Sequence, residues 1–167
     1  MVAIHWILGP VGSGKSTYAA DLARTHRAVR LTLDDWMTTL FRADRPDVGV
    51  MEWYIDRSRR CLEQIWQISE TSLQNGLSVV LEVGLIQRRE RTPFFARLDA
   101  SAFPHVLYLL DAPRPVRRAR VLKRNQDKGP TYAMDVPAHI FEMASDLWEP
   151  LTPHERQGRD LREITTG

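Results

Sequence analysis

Three observations predict an α/β fold in which helices cover both faces of one parallel sheet. Residues 9–16 read Gly-Pro-Val-Gly-Ser-Gly-Lys-Ser, a fit at every specified position to the phosphate-binding pattern G-x-x-x-x-G-K-[ST]. Short, nearly continuous apolar runs recur along the chain, and segments with apolar residues at helical spacing separate them. Strands of unbroken apolar character are buried on both faces, and the intervening helices supply the cover.

The first strand is Val2 to Leu8, running into the glycine-rich loop. Thr17 to Arg24 then continues as a helix, so the loop has the strand-loop-helix setting that the motif requires. Ala28 to Leu33 reads as a second strand ending in Asp34-Asp35. Trp36 to Phe41 reads as a helix start with Asp35 placed to cap it. After a turn at Arg45-Pro46-Asp47-Val48-Gly49, a long amphipathic helix is predicted from Met51 to about Asn75, with Gly76 as its stop. Leu77 to Val83 is the third strand, Glu90 to Leu98 a helix, and His105 to Leu110 the fourth strand. Pro113 and Pro115 open a helix rich in arginine, and Pro137 opens another through Ile140, Phe141 and Met143. Asp160 to Thr165 is the candidate fifth strand.

A length of 167 residues fits one domain able to bury about two thirds of its unfolded surface. The apolar N-terminal run is too short for a signal peptide and lacks a basic leader. No segment has the length of a membrane span, so a cytoplasmic protein without membrane association is expected. The lone Cys61 has no disulfide partner and falls in a helical apolar pattern, as inert core. A net charge of only +2 argues against binding nucleic acid chiefly by bulk electrostatics. The charge is unevenly placed, however. Arg114, Arg117, Arg118, Arg120, Lys123 and Arg124 follow one another with no acid among them, which is read here as functional in preference to a solvated helix face.

Phosphate chemistry is concentrated at the strand ends. The glycines of residues 9–14 let backbone N–H groups of Gly9, Gly12, Ser13, Gly14 and their neighbours turn toward a polyphosphate, and the helix N-terminus adds its dipole. Lys15 reaches the β- and γ-phosphates of a nucleoside triphosphate such as ATP, and the Ser16 hydroxyl joins the shell of Mg²⁺. Of the 23 Lys and Arg residues only Lys15, Lys123 and Lys128 are lysine, so the compact ammonium at position 15 stands out from the background. In parallel sheets ligands bind beyond the carboxyl ends of the strands, where Asp34, Glu82 and Asp111 lie. Glu82 sits in an otherwise dry strand and is the candidate metal-shell acid. The alternative is a glutamate bonded to a neighbouring arginine at the sheet edge. Asp34 is the candidate catalytic base, and the pattern alone admits Asp35 as well. Arg120, Arg124 and Lys128 are spaced four apart, and Gly129-Pro130 beyond them provides a hinge, so residues 117–138 are read as a lid whose cations follow the charge of a transferred phosphoryl group.

Taken together, Gly9 to Thr17, Asp34-Asp35-Trp36, Val80-Leu81-Glu82, Leu110 to Pro113 and Lys123 to Gly129 resemble the small P-loop kinases that include polynucleotide 5′-kinases, zeta-type toxins and chloramphenicol phosphotransferase. The resemblance implies a P-loop NTPase fold, a three-layer α/β/α sandwich with a five-stranded parallel sheet of order 2-3-1-4-5 and a short helical lid, in a single domain over residues 1–167. It further implies ATP and Mg²⁺ as cofactors, with the family's base on Asp34, its phosphate lysine on Lys15, its metal hydroxyl on Ser16 and its lid cations on Arg124 and Lys128. The chain departs from the pattern at Met37, where polynucleotide kinases and zeta-type toxins carry a basic residue, and at Glu82, where Asp is commoner. An apolar Met37 favours a hydroxylated small-molecule acceptor, in a pocket that Trp36, Met37, Phe41, Trp53 and Tyr54 could line. A polynucleotide 5′-hydroxyl is the second choice, needing a phosphate grip from Arg57 or from Arg88, Arg89 and Arg91. A nucleotide-binding switch without kinase activity is the third.

Overall fold

The computed structural model describes residues 1–130 and 132–167; Thr131, within the expected lid, lies outside the described residues. Five strands form one all-parallel sheet of order β2-β3-β1-β4-β5. They are β1 (Ile4–Leu8), β2 (Val29–Thr32), β3 (Val79–Glu82), β4 (His105–Asp111) and β5 (Asp160–Thr165). Between them run α1 (Lys15–His26), α2 (Leu33–Phe41), α3 (Val50–Gln74), α4 (Arg88–Ala100), α5 (Arg114–Asp127), α6 (Ala138–Leu147) and the short α7 (Pro153–Arg156). The predicted fifth strand is present, in register with β4 from Val106 opposite Asp160 to Asp111 opposite Thr165.

Strand alternation sorts the core into two layers. Ile4, Trp6, Leu8, Leu31, Leu81 and Leu107 point to the face covered by α2, α3 and α4. The Trp6 ring lies 4.6 Å from Phe94 and 4.9 Å from Phe95, centre to centre. On the other face Ile7, Val80, Tyr108 and Leu110 pack against Ala19 and Leu22 of α1. Cys61 is buried and free, as expected, and burial pushes its thiol up. No helix among the described residues is long and apolar enough to cross a membrane.

Two local expectations are corrected. Helix α2 begins at Leu33, not Trp36, so Asp35 is not its cap. Thr32 occupies that position, and both Asp34 and Asp35 fall in the first turn, where the helix dipole favours negative charge. Arg91, offered above as part of a phosphate grip, is instead fully buried. Its Nε donates to Glu155 Oε1 at 2.7 Å, and its Nη1 donates to the carbonyls of Ile86 and Glu149, each at 2.9 Å. This guanidinium joins α4 to α7, a helix that periodicity did not reveal because it is one turn long. Thr152 and Glu155 cap α7 reciprocally.

The arginine run also divides differently from expectation. Arg114 pairs with Glu142 at 2.5 Å and Asp146 at 2.8 Å, and Arg118 pairs with Glu142 at 2.6 Å, fastening α5 to α6. Lys123 pairs with Asp127 within α5. The run is therefore largely a structural seam, since the acids that balance it lie on α6, well beyond the window that made it look unpaired.

Candidate functional site

The loop between β1 and α1 approaches its surroundings so closely that side chains are excluded. A Cβ on Gly9 (φ +147) would fall 2.2 Å from the Leu110 carbonyl oxygen, and one on Gly12 (φ +78) 2.7 Å from that of Arg117. Arg117, mostly buried, donates from Nη1 to Val11 O at 2.9 Å and from Nε to Ala112 O at 3.0 Å, bracing the loop from α5. From the end of β5, the Thr166 hydroxyl donates to Ser13 O at 2.8 Å, while Arg120 Nη1 donates to the same hydroxyl at 2.9 Å. Inside this cradle the Ser13 hydroxyl is buried without a partner among the described residues. That is the kind of polar group a phosphate oxygen would satisfy.

Lys15 heads α1 and curls back, its Nζ donating to the carbonyls of Gly9 and Pro10, each at 2.8 Å. Burial pulls its ammonium below the usual lysine range, while the charges of Glu82 and Asp34 push it back up. One residue on, the Ser16 hydroxyl donates to Glu82 Oε1 at 2.5 Å. These are two hard oxygen donors in contact, the ligand type that Mg²⁺ takes, with phosphate oxygens and water usually completing its shell. The residues present therefore fit the ion. Glu82 also meets the edge arginine anticipated as an alternative, for Arg30 Nη2 donates to its Oε2 at 3.2 Å. Both contacts exist together.

Asp34 is exposed to solvent in the first turn of α2, yet enough protein surrounds it to desolvate its carboxyl. This burial, and after it the charge of Glu82, pushes the carboxyl above the usual range. Lys15 and Arg124 act in the opposite direction. Lys15, Asp34, Glu82 and Arg124 thus lie within one another's fields, with Ser16 bonded to Glu82. Asp35 contributes to Asp34's shift as a like charge. Asp111 accepts from the N–H of Ala112 at 2.8 Å, closing a turn at the strand end.

Two expected phosphate ligands and one expected pocket residue sit otherwise than the sequence implied. Lys128 does not continue the stripe of Arg120 and Arg124, because α5 ends at Asp127 and Lys128 is its left-handed C-cap (φ +46) with Nζ over the Tyr132 ring. Arg120 is engaged by Thr166. Met37, expected in the acceptor pocket, is buried in the core and its sulfur accepts from the Ser58 hydroxyl at 3.7 Å. Trp36, Phe41 and Trp53 pack against that core too. Of the predicted pocket residues Tyr54 is the one that feels Asp34: burial, then the Asp34 charge, pushes its phenol up to about 12. Beyond α5 the Asn125 side chain clips the chain, donating to Val136 O at 2.8 Å and accepting from Val136 N at 3.1 Å. Arg30 was missed. Its signal was a cation in an otherwise apolar edge strand, two residues before the register partner of Glu82.

The profile of the AAA_33 family, described as an AAA domain, matches residues 4–151. A protein of Chloroflexus aurantiacus J-10-fl, provisionally described as a kinase, shares 20% identity with a TM-score of 0.72, over 98% of this chain and 85% of that one. A sugar kinase from Janibacter sp. HTCC2649 shares 17% identity with a TM-score of 0.67, over 99% and 86%. The Mycobacterium tuberculosis APS kinase CysC, solved in complex with AMPPNP and APS, shares 18% with a TM-score of 0.62, over 98% and 88%. At such identities the likeness is one of fold. No curated protein sequence matches the chain.

Proposed function

Since this chain belongs to the AAA_33 family, we propose that it is a phosphotransferase that moves the γ-phosphoryl group of ATP to a hydroxyl of a small-molecule acceptor, in a single domain whose lid spans residues 117–138. The observation that carries this reading is geometric: beneath the glycine-rich loop Lys15 Nζ donates to the Gly9 and Pro10 carbonyls, and the Ser16 hydroxyl beside it donates to Glu82 Oε1 at 2.5 Å. Asp34 stands in the field of Lys15 and Glu82, and a carboxyl raised above its usual range is a better acceptor for a hydroxyl proton.

The loop N–H groups of residues 9–14, with Thr17 at the helix start, hold the phosphates, and Lys15 leaves the Gly9 and Pro10 carbonyls to meet the β- and γ-oxygens. Ser16 and Glu82 would hold Mg²⁺, which would supply positive charge to the polyphosphate. Asp34 accepts the hydroxyl proton as the acceptor oxygen forms its bond to the γ-phosphorus and the bond to the ADP oxygen breaks. Arg124, whose Nε is buried without a partner among the described residues, balances charge on the group in transit.

A small hydroxylated acceptor is supported by the solved neighbour described as a sugar kinase, whereas Met37, buried in the core, no longer bears on the acceptor. The polynucleotide alternative is weakened by the internal engagement of Arg91, which leaves Arg57, stacked 4.7 Å over Trp53, and the exposed Arg88 and Arg89 as the remaining grips. The test is Mg²⁺-dependent transfer of labelled γ-phosphate from ATP to 5′-hydroxyl oligonucleotides and, separately, to a panel of sugars, nucleosides and antibiotics, with Asp34→Asn as control. Label on a small molecule, lost in the variant, is the expected result. Label on the oligonucleotide alone would replace the acceptor class, and ATP binding with neither pool labelled would favour a nucleotide switch.

A further inference from the structure

Glu82 shares its carboxylate between two partners on different elements. Its Oε1 takes the Ser16 hydroxyl at 2.5 Å and its Oε2 takes Arg30 Nη2 at 3.2 Å. Arg30 reaches it because the β2–β3 register sets Thr32 opposite Glu82 and Arg30 opposite Val80, so both side chains leave the sheet on the face covered by α1. The contact is a single N–H, not the two-pronged fork that an arginine and a carboxylate form when pairing alone decides the geometry. Each oxygen has its own partner, an arrangement that fixes the direction of the carboxylate.

A glutamate needs such a second tether. It carries one more rotatable bond than aspartate, and Lys15 lies near enough for its charge to draw the carboxylate toward the loop. A cation on the edge strand, bonded to the other carboxylate oxygen, opposes that swing. Arg30 itself is about a quarter exposed, and its Nε is buried without a partner among the described residues, so the Glu82 contact is the one polar contact its side chain makes to the described residues.

We propose that Arg30 is a positioning residue, which holds the longer Glu82 side chain so that Oε1 stays on Ser16 and the two oxygens present a fixed pair to the nucleotide-bound metal. This rests on the functional reading above. Partners that orient a metal-site carboxylate without touching the ion typically change affinity or activity by about 10–100-fold when removed.

The experiment measures ATP affinity by calorimetry with Mg²⁺ and with EDTA, for the wild type, Arg30→Met, Arg30→Lys, Glu82→Gln and the double variant Arg30→Met/Glu82→Gln. Arg30→Met is expected to lose about tenfold in affinity with Mg²⁺ and to match the wild type in EDTA. Arg30→Lys should recover part of the loss, and the double variant should bind no more weakly than Glu82→Gln. An equal loss in both conditions, no loss, or losses that add in the double variant would overturn the proposal. A wild type that binds ATP equally with and without Mg²⁺, or not at all, would overturn the functional reading and the Arg30 proposal with it. A Mg²⁺-sensitive wild type beside an unaltered Arg30→Met would overturn the Arg30 proposal alone.

Discussion

The Thr166 hydroxyl donates to the Ser13 carbonyl at 2.8 Å, tying the end of the fifth strand to the middle of the glycine-rich loop. The Thr166 N–H donates to Asp111 O at 2.8 Å, so the segment is pinned at the same point to the end of β4. The loop is thus held from behind by two strand ends and by Arg117 of α5. A cradle of backbone N–H groups works only if it is already in shape when the phosphate arrives. Thr166→Val removes the hydroxyl and keeps the volume. It should weaken ATP binding by about fivefold, the equivalent of one net hydrogen bond of about 1 kcal/mol, while changing the melting temperature little. Calorimetric titration beside thermal unfolding distinguishes the two effects.

The sheet was legible because its signal is local: each strand is an apolar run, and the motif at residues 9–16 sets the polarity of the first one. Lys15, Ser16, Asp34, Glu82 and Arg124 were singled out from the loop motif, strand ends and spacing, and the fold brings them near one another. What the sequence hid is long-range pairing. The arginines of α5 look unpaired until α6 packs against them, and Arg91 looks available until Glu155 arrives from 64 residues away. Met37 illustrates a different limit. Its place after Asp34 suggested a pocket wall, but the earlier start of α2 turns it into the core.

Arg91 and Glu155 make a buried pair whose loss should be costly on one side only. Burial pushes the Glu155 carboxyl up, but the Arg91 hydrogen bonds and charge, together with the Thr152 N–H, outweigh it and hold the carboxyl below the usual range. Arg91→Met strands that carboxylate in an apolar setting and leaves the Ile86 and Glu149 carbonyls without their donor. The expected cost is about 3–5 kcal/mol in urea unfolding. Arg91→Met/Glu155→Leu should recover part of it, because the stranded charge is gone. A double variant as unstable as Arg91→Met would place the cost in the lost carbonyl bonds instead.

His5 should make the fold acid-sensitive. It lies in β1 against α1, its Nδ1 3.1 Å from the Tyr108 hydroxyl and its ring 4.4 Å from that of His26. Burial first, then the charges of His26 and Arg162, lower its pKa from 6.5 to about 4. As pH falls below 6.5 the unfolded chain takes up a proton that the folded one refuses, so stability declines from there down to about pH 4. The contribution is at most about 3 kcal/mol. His5→Gln should flatten the pH profile of urea unfolding between these limits. A profile unchanged from the wild type would mean that His5 charges inside the fold at little cost.

Asp34 links activity to stability with the opposite pH dependence. Its carboxyl is held above the ordinary 3.8 by burial and by Glu82, so over the window from 3.8 up to its folded value the native chain keeps a proton that the unfolded chain has released. Stability therefore falls as pH rises through that window, and the penalty persists at neutral pH. Asn at this position cannot ionise and escapes it. Asp34→Asn is expected to melt higher than the wild type at pH 7, with the gain shrinking on acidification and absent below pH 3.8, where both side chains are neutral. The same variant should lose about 10²–10⁴-fold in kcat, since no group remains to take the acceptor proton. Wild-type activity should rise with pH as Asp34 ionises, whereas the residual activity of the variant should not follow that profile. A variant that is inactive but no more stable at pH 7 would show that the native fold tolerates the ionised Asp34 without cost. Higher stability with full activity would place the catalytic base at another residue, Asp35 being the adjacent carboxylate to replace next.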